Sequence, residues 1–290
     1  MLEILLWMFW GSVGLACNYL NQQDFDIKER YNYEYLCIKR PLSTNATIDF
    51  QFQKEELKSK EYFVPILMFH YIQDIPSNSR DQLGYRLSYS PQNLDKLLDA
   101  LDRNNITPIT FYDLKLIMEW KLKAPEKMII LSFDDGHKDH YTNAFPILRE
   151  RWVKGVFYII SWKVDKDWMY ANSQELQEMI DDGQEIASHT VSHLNTASLS
   201  NAKIHSELVD SKKFLEDKFW IKVISFSYPA WKFQNEYLKK LCSETYSFCR
   251  TTQPWTKASY KNRNILPTYR MNPTTKIEQI LNLYKWTTLS

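Results

Sequence analysis

Met128-Ile129-Ile130-Leu131-Ser132-Phe133-Asp134-Asp135-Gly136 is a nearly continuous apolar run that stops in two carboxylates and a glycine. A run of this kind reads as a buried strand that delivers acids to the rim of a sheet or barrel, and Gly136 permits the positive φ needed to turn there. Further along, Glu185-Ile186-Ala187-Ser188 is a second strand-like segment, and it leads into His189-Thr190-Val191-Ser192-His193. Histidines four apart share one face of a helical turn. An Asp with two His suits zinc or a similar divalent ion and leaves positions for water and substrate.

Outward from these two stretches the pattern alternates. Strand-like runs fall at 63–71, 128–134, 155–160, 185–188, 223–228, 247–251 and 265–271, with amphipathic stretches between several of them. Ser90-Pro91 caps a stretch that carries Leu94, Leu97, Leu98 and Leu101 on one face, and 201–220 carries Ile204, Leu208, Phe214 and Leu215 at near-helical spacing. The fold expected is α/β, an irregular (β/α)7-type barrel of mainly parallel strands with a polar N-terminal extension. Acids and imidazoles at strand C-termini agree with that architecture.

Ser132-Phe133-Asp134-Asp135-Gly136 followed by His189-Thr190-Val191-Ser192-His193 resembles the first two motifs of the NodB-like polysaccharide deacetylases, over roughly residues 60 to 285. The resemblance implies that Asp135, His189 and His193 hold one divalent metal ion, zinc foremost with cobalt, nickel or iron as alternatives. It also implies that Asp134 is the general base. Ile66-Leu67-Met68-Phe69-His70-Tyr71 adds a finer likeness, to the branch acting on poly-N-acetylglucosamine exopolysaccharide, in which a His of this placement is the general acid. His70 is therefore the expected acid, and as such it would set the high-pH limb of the rate profile. The third family motif, ordinarily Arg and then Pro-aromatic-Gly, stands here as Phe226-Ser227-Tyr228-Pro229-Ala230-Trp231, without Arg. Arg270 is the candidate to orient Asp134 instead. Backbone N–H groups around Tyr228, Pro229 and Ala230 are candidates for the oxyanion site. Trp162, Trp168, Tyr170 and Trp231 are groove candidates. His137 and His140 fall in a polar helix start and read as solvated.

The function these readings imply is metal-dependent hydrolysis of N-acetyl groups from a polysaccharide containing N-acetylglucosamine, exopolysaccharide poly-N-acetylglucosamine foremost. Alternatives are a peptidoglycan or other carbohydrate deacetylase, or a polysaccharide-binding protein without turnover. Thirty-six Lys and Arg against thirty-five Asp and Glu leave a net charge of +1, with no basic stripe, which argues against a nucleic-acid partner.

Residues 1–20 read as a signal peptide or a membrane or lipid anchor, 21–60 as an extension or linker, and 61–290 as the catalytic domain. The apolar stretch Ile4 to Ala16 is short for a membrane span and gives way to small and then polar residues, which points to export to a bacterial periplasm or cell envelope. Ala16-Cys17 offers a cleavage point or a lipid-modified Cys17, and an uncleaved anchor would run from Leu2 to Leu20. Cys242 and Cys249 read as a local disulfide or as two small buried hydrophobes. Cys37 pairs with Cys17 in an uncleaved chain and is otherwise left over.

Overall fold

The computed structural model describes residues 61–195, 199–229, 235–253, 258–259 and 262–285. The expectations for residues 1–60, which include both N-terminal cysteines, lie outside the described residues, as do Ala230 and Trp231. The strands are β1 (Glu61–Tyr62), β2 (Ile66–Phe69), β3 (Thr107–Pro108), β4 (Met128–Phe133), β5 (Val156–Ile159), β6 (Glu185–Ser188), β7 (Ser225–Ser227), β8 (Phe248–Arg250), β9 (Ala258–Ser259) and β10 (Tyr269–Arg270). The α-helices are α1 (Gln82–Leu87), α2 (Pro91–Arg103), α3 (Phe111–Met118), α4 (Phe145–Glu150), α5 (Ser173–Asp181), α6 (Asn201–Phe219), α7 (Glu236–Thr245) and α8 (Ile277–Asn282).

Each of the seven strand-like runs in the sequence contains a strand of one curled parallel sheet, ordered β10-β2-β4-β5-β6-β7-β8, with β3 beside β4. Register is fixed in the centre by Leu67 opposite Leu131 and Phe157 opposite Ile186. The curl is that of an irregular (β/α)7 barrel. Segment 263–270 runs from one edge to the other, since Leu266 bridges Arg250 of β8 while Tyr269 and Arg270 pair with Leu67 and Met68 of β2.

The apolar runs are continuous because both faces of the sheet are covered. Leu131, Phe133, Phe157 and Ile159 face an outer layer that includes Leu94 of α2 and Leu208 of α6. Met128, Ile130, Val156 and Tyr158 face inward and pack with Phe111, Leu114 and Ile117 of α3. Helix α3 enters at the end where strands begin, because Glu185 on the first position of β6 accepts the Phe111 and Tyr112 N–H groups at 2.8 and 3.1 Å. Its other oxygen accepts the Ser225 hydroxyl at 2.9 Å. In α2, Ser90 caps the Asn93 N–H at 3.2 Å and Pro91 opens the helix. Full burial of its four leucines contributes about 1.5–3 kcal/mol each.

Cys242 and Cys249 form a disulfide that ties α7 to β8. Among the described residues no helix is long and apolar enough to cross a membrane.

Candidate active site

The C-terminal ends of β2, β4, β6, β7 and β8 gather the chemistry. Strand β4 passes its last ladder bond to Asp134, whose N–H donates to the Phe69 carbonyl at 2.9 Å. Asp135 and Gly136 then both take φ of +78°. A left-handed turn at a non-glycine residue costs roughly 1–2 kcal/mol, a strain that clusters at functional positions. Glycine is needed at the second position, where a Cβ would also meet the Ile159 side chain at 3.0 Å.

The turn aims Asp135 at the second motif. Its Oδ1 lies 3.4 Å from Nε2 of His189 and 3.4 Å from Nε2 of His193. The sequence places these two histidines on one helical face; the structure corrects this. Segment 189–193 is a loop in which Thr190 and His193 adopt φ of +67° and +57°. Thr190 Oγ1 accepts the His193 N–H at 2.9 Å and so folds the second imidazole back toward the first.

The three groups fit a cation. His189 donates Nδ1–H to the Ser227 carbonyl at 2.9 Å, which leaves the neutral ring with the Nε2 lone pair turned toward a carboxylate oxygen. Asp135 Oδ1 is buried without a hydrogen-bond donor among the described residues. Lone pairs facing one another are satisfied by a positive ion between them. A tetrahedral ion with bonds of about 2.0–2.1 Å would hold its ligand atoms about 3.3–3.4 Å apart, which matches the Asp135 spacings. Burial pushes the Asp135 carboxyl up, but the His137 hydrogen bond and the nearby His189 imidazole outweigh it and hold the group well below the usual range. Burial and the neighbouring His189 bring His193 down to about 4 against the pull of Asp135, so it is neutral, the ligand form, near neutral pH.

Asp134 is buried and forms an ion pair with the guanidinium of Arg250, which is itself fully buried. The sequence proposal that Arg270 fills this place is corrected: Arg270 sits half-buried on β10 and feels the charge of Asp135. Arg250 is the register partner of Ser227, so the cation missing from the third motif stands one strand over at the same height. Its position at the end of a strand-like run was the signal that could have found it.

His70 follows β2 within electrostatic reach of Asp135, Arg250 and His189, and burial pushes its imidazole down to about 3. The expectation that His137 and His140 are solvated is overturned. Both are buried. His140 Nε2 donates to the His70 carbonyl. His137 Nε2 donates to Asp135 Oδ2 at 3.2 Å, and its ring lies between Tyr71 at 4.3 Å and Tyr170 at 5.0 Å. A polar helix start looks the same in sequence whether it faces water or a neighbouring loop.

The oxyanion candidates shrink. The Tyr228 N–H is spent on the Arg250 carbonyl at 3.1 Å, its hydroxyl donates to the Asn264 carbonyl at 3.2 Å, and Pro229 has no N–H. Of 228–230, Ala230 lies outside the described residues. Segment 161–170 borders the site, because the Ser161 and Trp162 N–H groups donate to the Thr190 and Val191 carbonyls at 3.1 and 2.9 Å. Trp162 and Trp168 are exposed along it, 56% and 85%.

Residues 121–248, the stretch that holds both motifs, match the family model described as polysaccharide deacetylase. Among relatives, the chain is 27% identical to YxkH of Bacillus subtilis, a protein assigned to the polysaccharide deacetylases, over 72% of each chain. It is 29% identical to a peptidoglycan-N-acetylglucosamine deacetylase of Bacillus cereus over 43% of this chain. With a poly-beta-1,6-N-acetyl-D-glucosamine N-deacetylase of Staphylococcus aureus it shares 28% identity over 53% of this chain. It spans 56% of the length of each of these last two enzymes. The crystal structure of a polysaccharide deacetylase from Bacillus cereus superposes with a TM-score of 0.67 at 28% identity, covering 77% of this chain and 69% of that one. Family match, barrel topology and strand-end chemistry thus converge on one conclusion, that this chain carries a polysaccharide deacetylase domain.

Proposed function

We propose that the protein hydrolyses N-acetyl groups from a polymer containing N-acetylglucosamine, with poly-N-acetylglucosamine exopolysaccharide as its substrate and one divalent metal ion, zinc foremost, held by Asp135, His189 and His193. The observation that carries the reading is the pairing of two carboxylates with different partners: Asp135 faces two imidazoles while Asp134, beside it, faces a buried guanidinium. Adjacent acids in separate environments take separate roles.

An ion at these ligands would supply Lewis-acid polarisation of the acetyl carbonyl and make a water acidic enough to lose its proton near neutrality. Asp134 accepts that proton, and its ion pair with Arg250 fixes the carboxylate for it. His70 hands a proton to the departing amine. Because burial leaves the resting imidazole neutral above about pH 3, the proton that Asp134 takes from water is the one that returns through His70 to the amine as the C–N bond breaks, and Asp134 ends the cycle ionised. Trp162, Trp168 and Tyr170 border the groove.

A polysaccharide-binding protein without turnover loses its main support, since Arg250 supplies the cation absent from the third motif. The likeness to a peptidoglycan deacetylase keeps that polymer as the second reading. Export and attachment through the N-terminus rest on the apolar sequence between Ile4 and Ala16. Incubation of metal-loaded and metal-stripped protein with β-1,6- and β-1,4-linked N-acetylglucosamine oligomers, read by mass, tests the proposal. Metal-dependent acetyl loss from the β-1,6 series is expected; turnover of the β-1,4 series alone would replace it with the second reading, and turnover of neither would remove it.

A further inference from the structure

The second-motif loop carries two left-handed residues and is closed from within by the Thr190 Oγ1 bond to the His193 N–H. What grips it is a residue outside every motif. Glu207, in the second turn of α6, has a carboxylate that is fully buried yet takes three donors. The Ser192 N–H donates to Oε2 at 2.8 Å, the Ser192 hydroxyl to Oε1 at 2.6 Å, and Lys203 Nζ lies 2.9 Å from Oε1. The main-chain carbonyl of the same residue accepts the Val191 N–H at 3.2 Å. Both residues at the middle of the loop are therefore pinned to one helix position. Burial pushes the Glu207 carboxyl up, but the Ser192 and Lys203 bonds win and bring it below its ordinary value, so the acceptor is ionised.

The loop's other side is held by the 161–162 N–H groups, which take the Thr190 and Val191 carbonyls. His189 has its own anchor on Ser227, whereas the half-exposed His193 owes its direction to the loop alone. We infer that Glu207 is a positioning residue for the metal centre, setting the direction of the His193 imidazole through Ser192 and thereby the affinity for the ion. The inference rests on the metal-site reading above. Supporting bonds around metal ligands typically set affinity by 10–100-fold when removed.

Glu207→Gln keeps the length but turns an amide N–H₂ toward groups that are themselves donors. The test is zinc affinity by competition with a chromophoric chelator, with far-UV circular dichroism and thermal unfolding of the metal-free protein alongside. The expected result is a roughly 10–100-fold weaker zinc dissociation constant with native secondary structure. Ser192→Ala, which removes one bond and leaves the helix untouched, should weaken zinc binding in the same direction by less, and it stands in if Glu207→Gln does not fold. Glu207→Asp should fall between Glu207→Gln and the native protein. Native zinc affinity in both folded Glu207→Gln and Ser192→Ala would overturn the inference while leaving the metal site in place. Failure of the unaltered protein to bind zinc would overturn the metal-site reading and this inference with it.

Discussion

Asp134 and Asp135 share a backbone turn but not a fate, and substitutions at each should separate base from ligand. Asp134→Asn is expected to retain metal while losing about a hundredfold or more in turnover; unchanged turnover would remove it from the mechanism. Arg250→Ala should be worse for the fold than for the metal, because it strands a buried carboxylate, a loss of about 3–5 kcal/mol by denaturant titration. The double variant Asp134→Asn with Arg250→Ala should recover part of that loss. For His70→Asn, turnover should fall about 10²–10⁴-fold across the neutral range. The sequence expectation of a vanished high-pH limb gives way here, since an imidazole pushed down to about 3 has no ordinary titration to lose. A native limb near pH 6.5 that disappears in the variant would restore the simpler acid.

At the scale of elements, the strands lying inside an apolar run were legible, including the two-residue β10 within 265–271, and β1, β3 and β9 were not, because each is two residues outside any such run. The disulfide was legible as an alternative only, since seven-residue spacing allows it without demanding it. The loop shape of 189–193 was hidden, because four-residue spacing of histidines is shared by a helix and by this doubly left-handed turn. One buried element junction also predicts a pH dependence. Burial pushes Glu185 up to about 8 despite the Ser225 hydroxyl and two amide donors of α3. The folded state therefore binds a proton that the unfolded chain releases near its ordinary value of about 4.3, so this group's contribution is present at low pH and lost as pH rises toward 8. Glu185→Gln should flatten the decline in melting temperature between pH 5 and 8; an unchanged slope would show the carboxylate ionised throughout.

For the molecule as a whole, the barrel supplies coordinates that a linear motif cannot. If a metal ion joins β4 to the loop after β6, stripping it should lower the melting temperature. Saturation at a thousandfold over the dissociation constant stabilises by about 4 kcal/mol, and a melting temperature indifferent to chelator would argue against the ligand set. The two motifs could be read from sequence because each is contiguous. Arg250 ends a strand-like run but was missed, since its partner Asp134 is over a hundred residues away and it is the pairing of β7 with β8 that sets it level with Ser227 of the third motif. That pairing has a consequence for how lineages of this fold are sorted. A scan that judges competence by arginine in the third motif would discard this chain as a dead copy. Across the rung that sets Arg250 level with Ser227, a guanidinium reaches Asp134 from outside the third motif, so the buried cation of this site is found by place rather than by spelling.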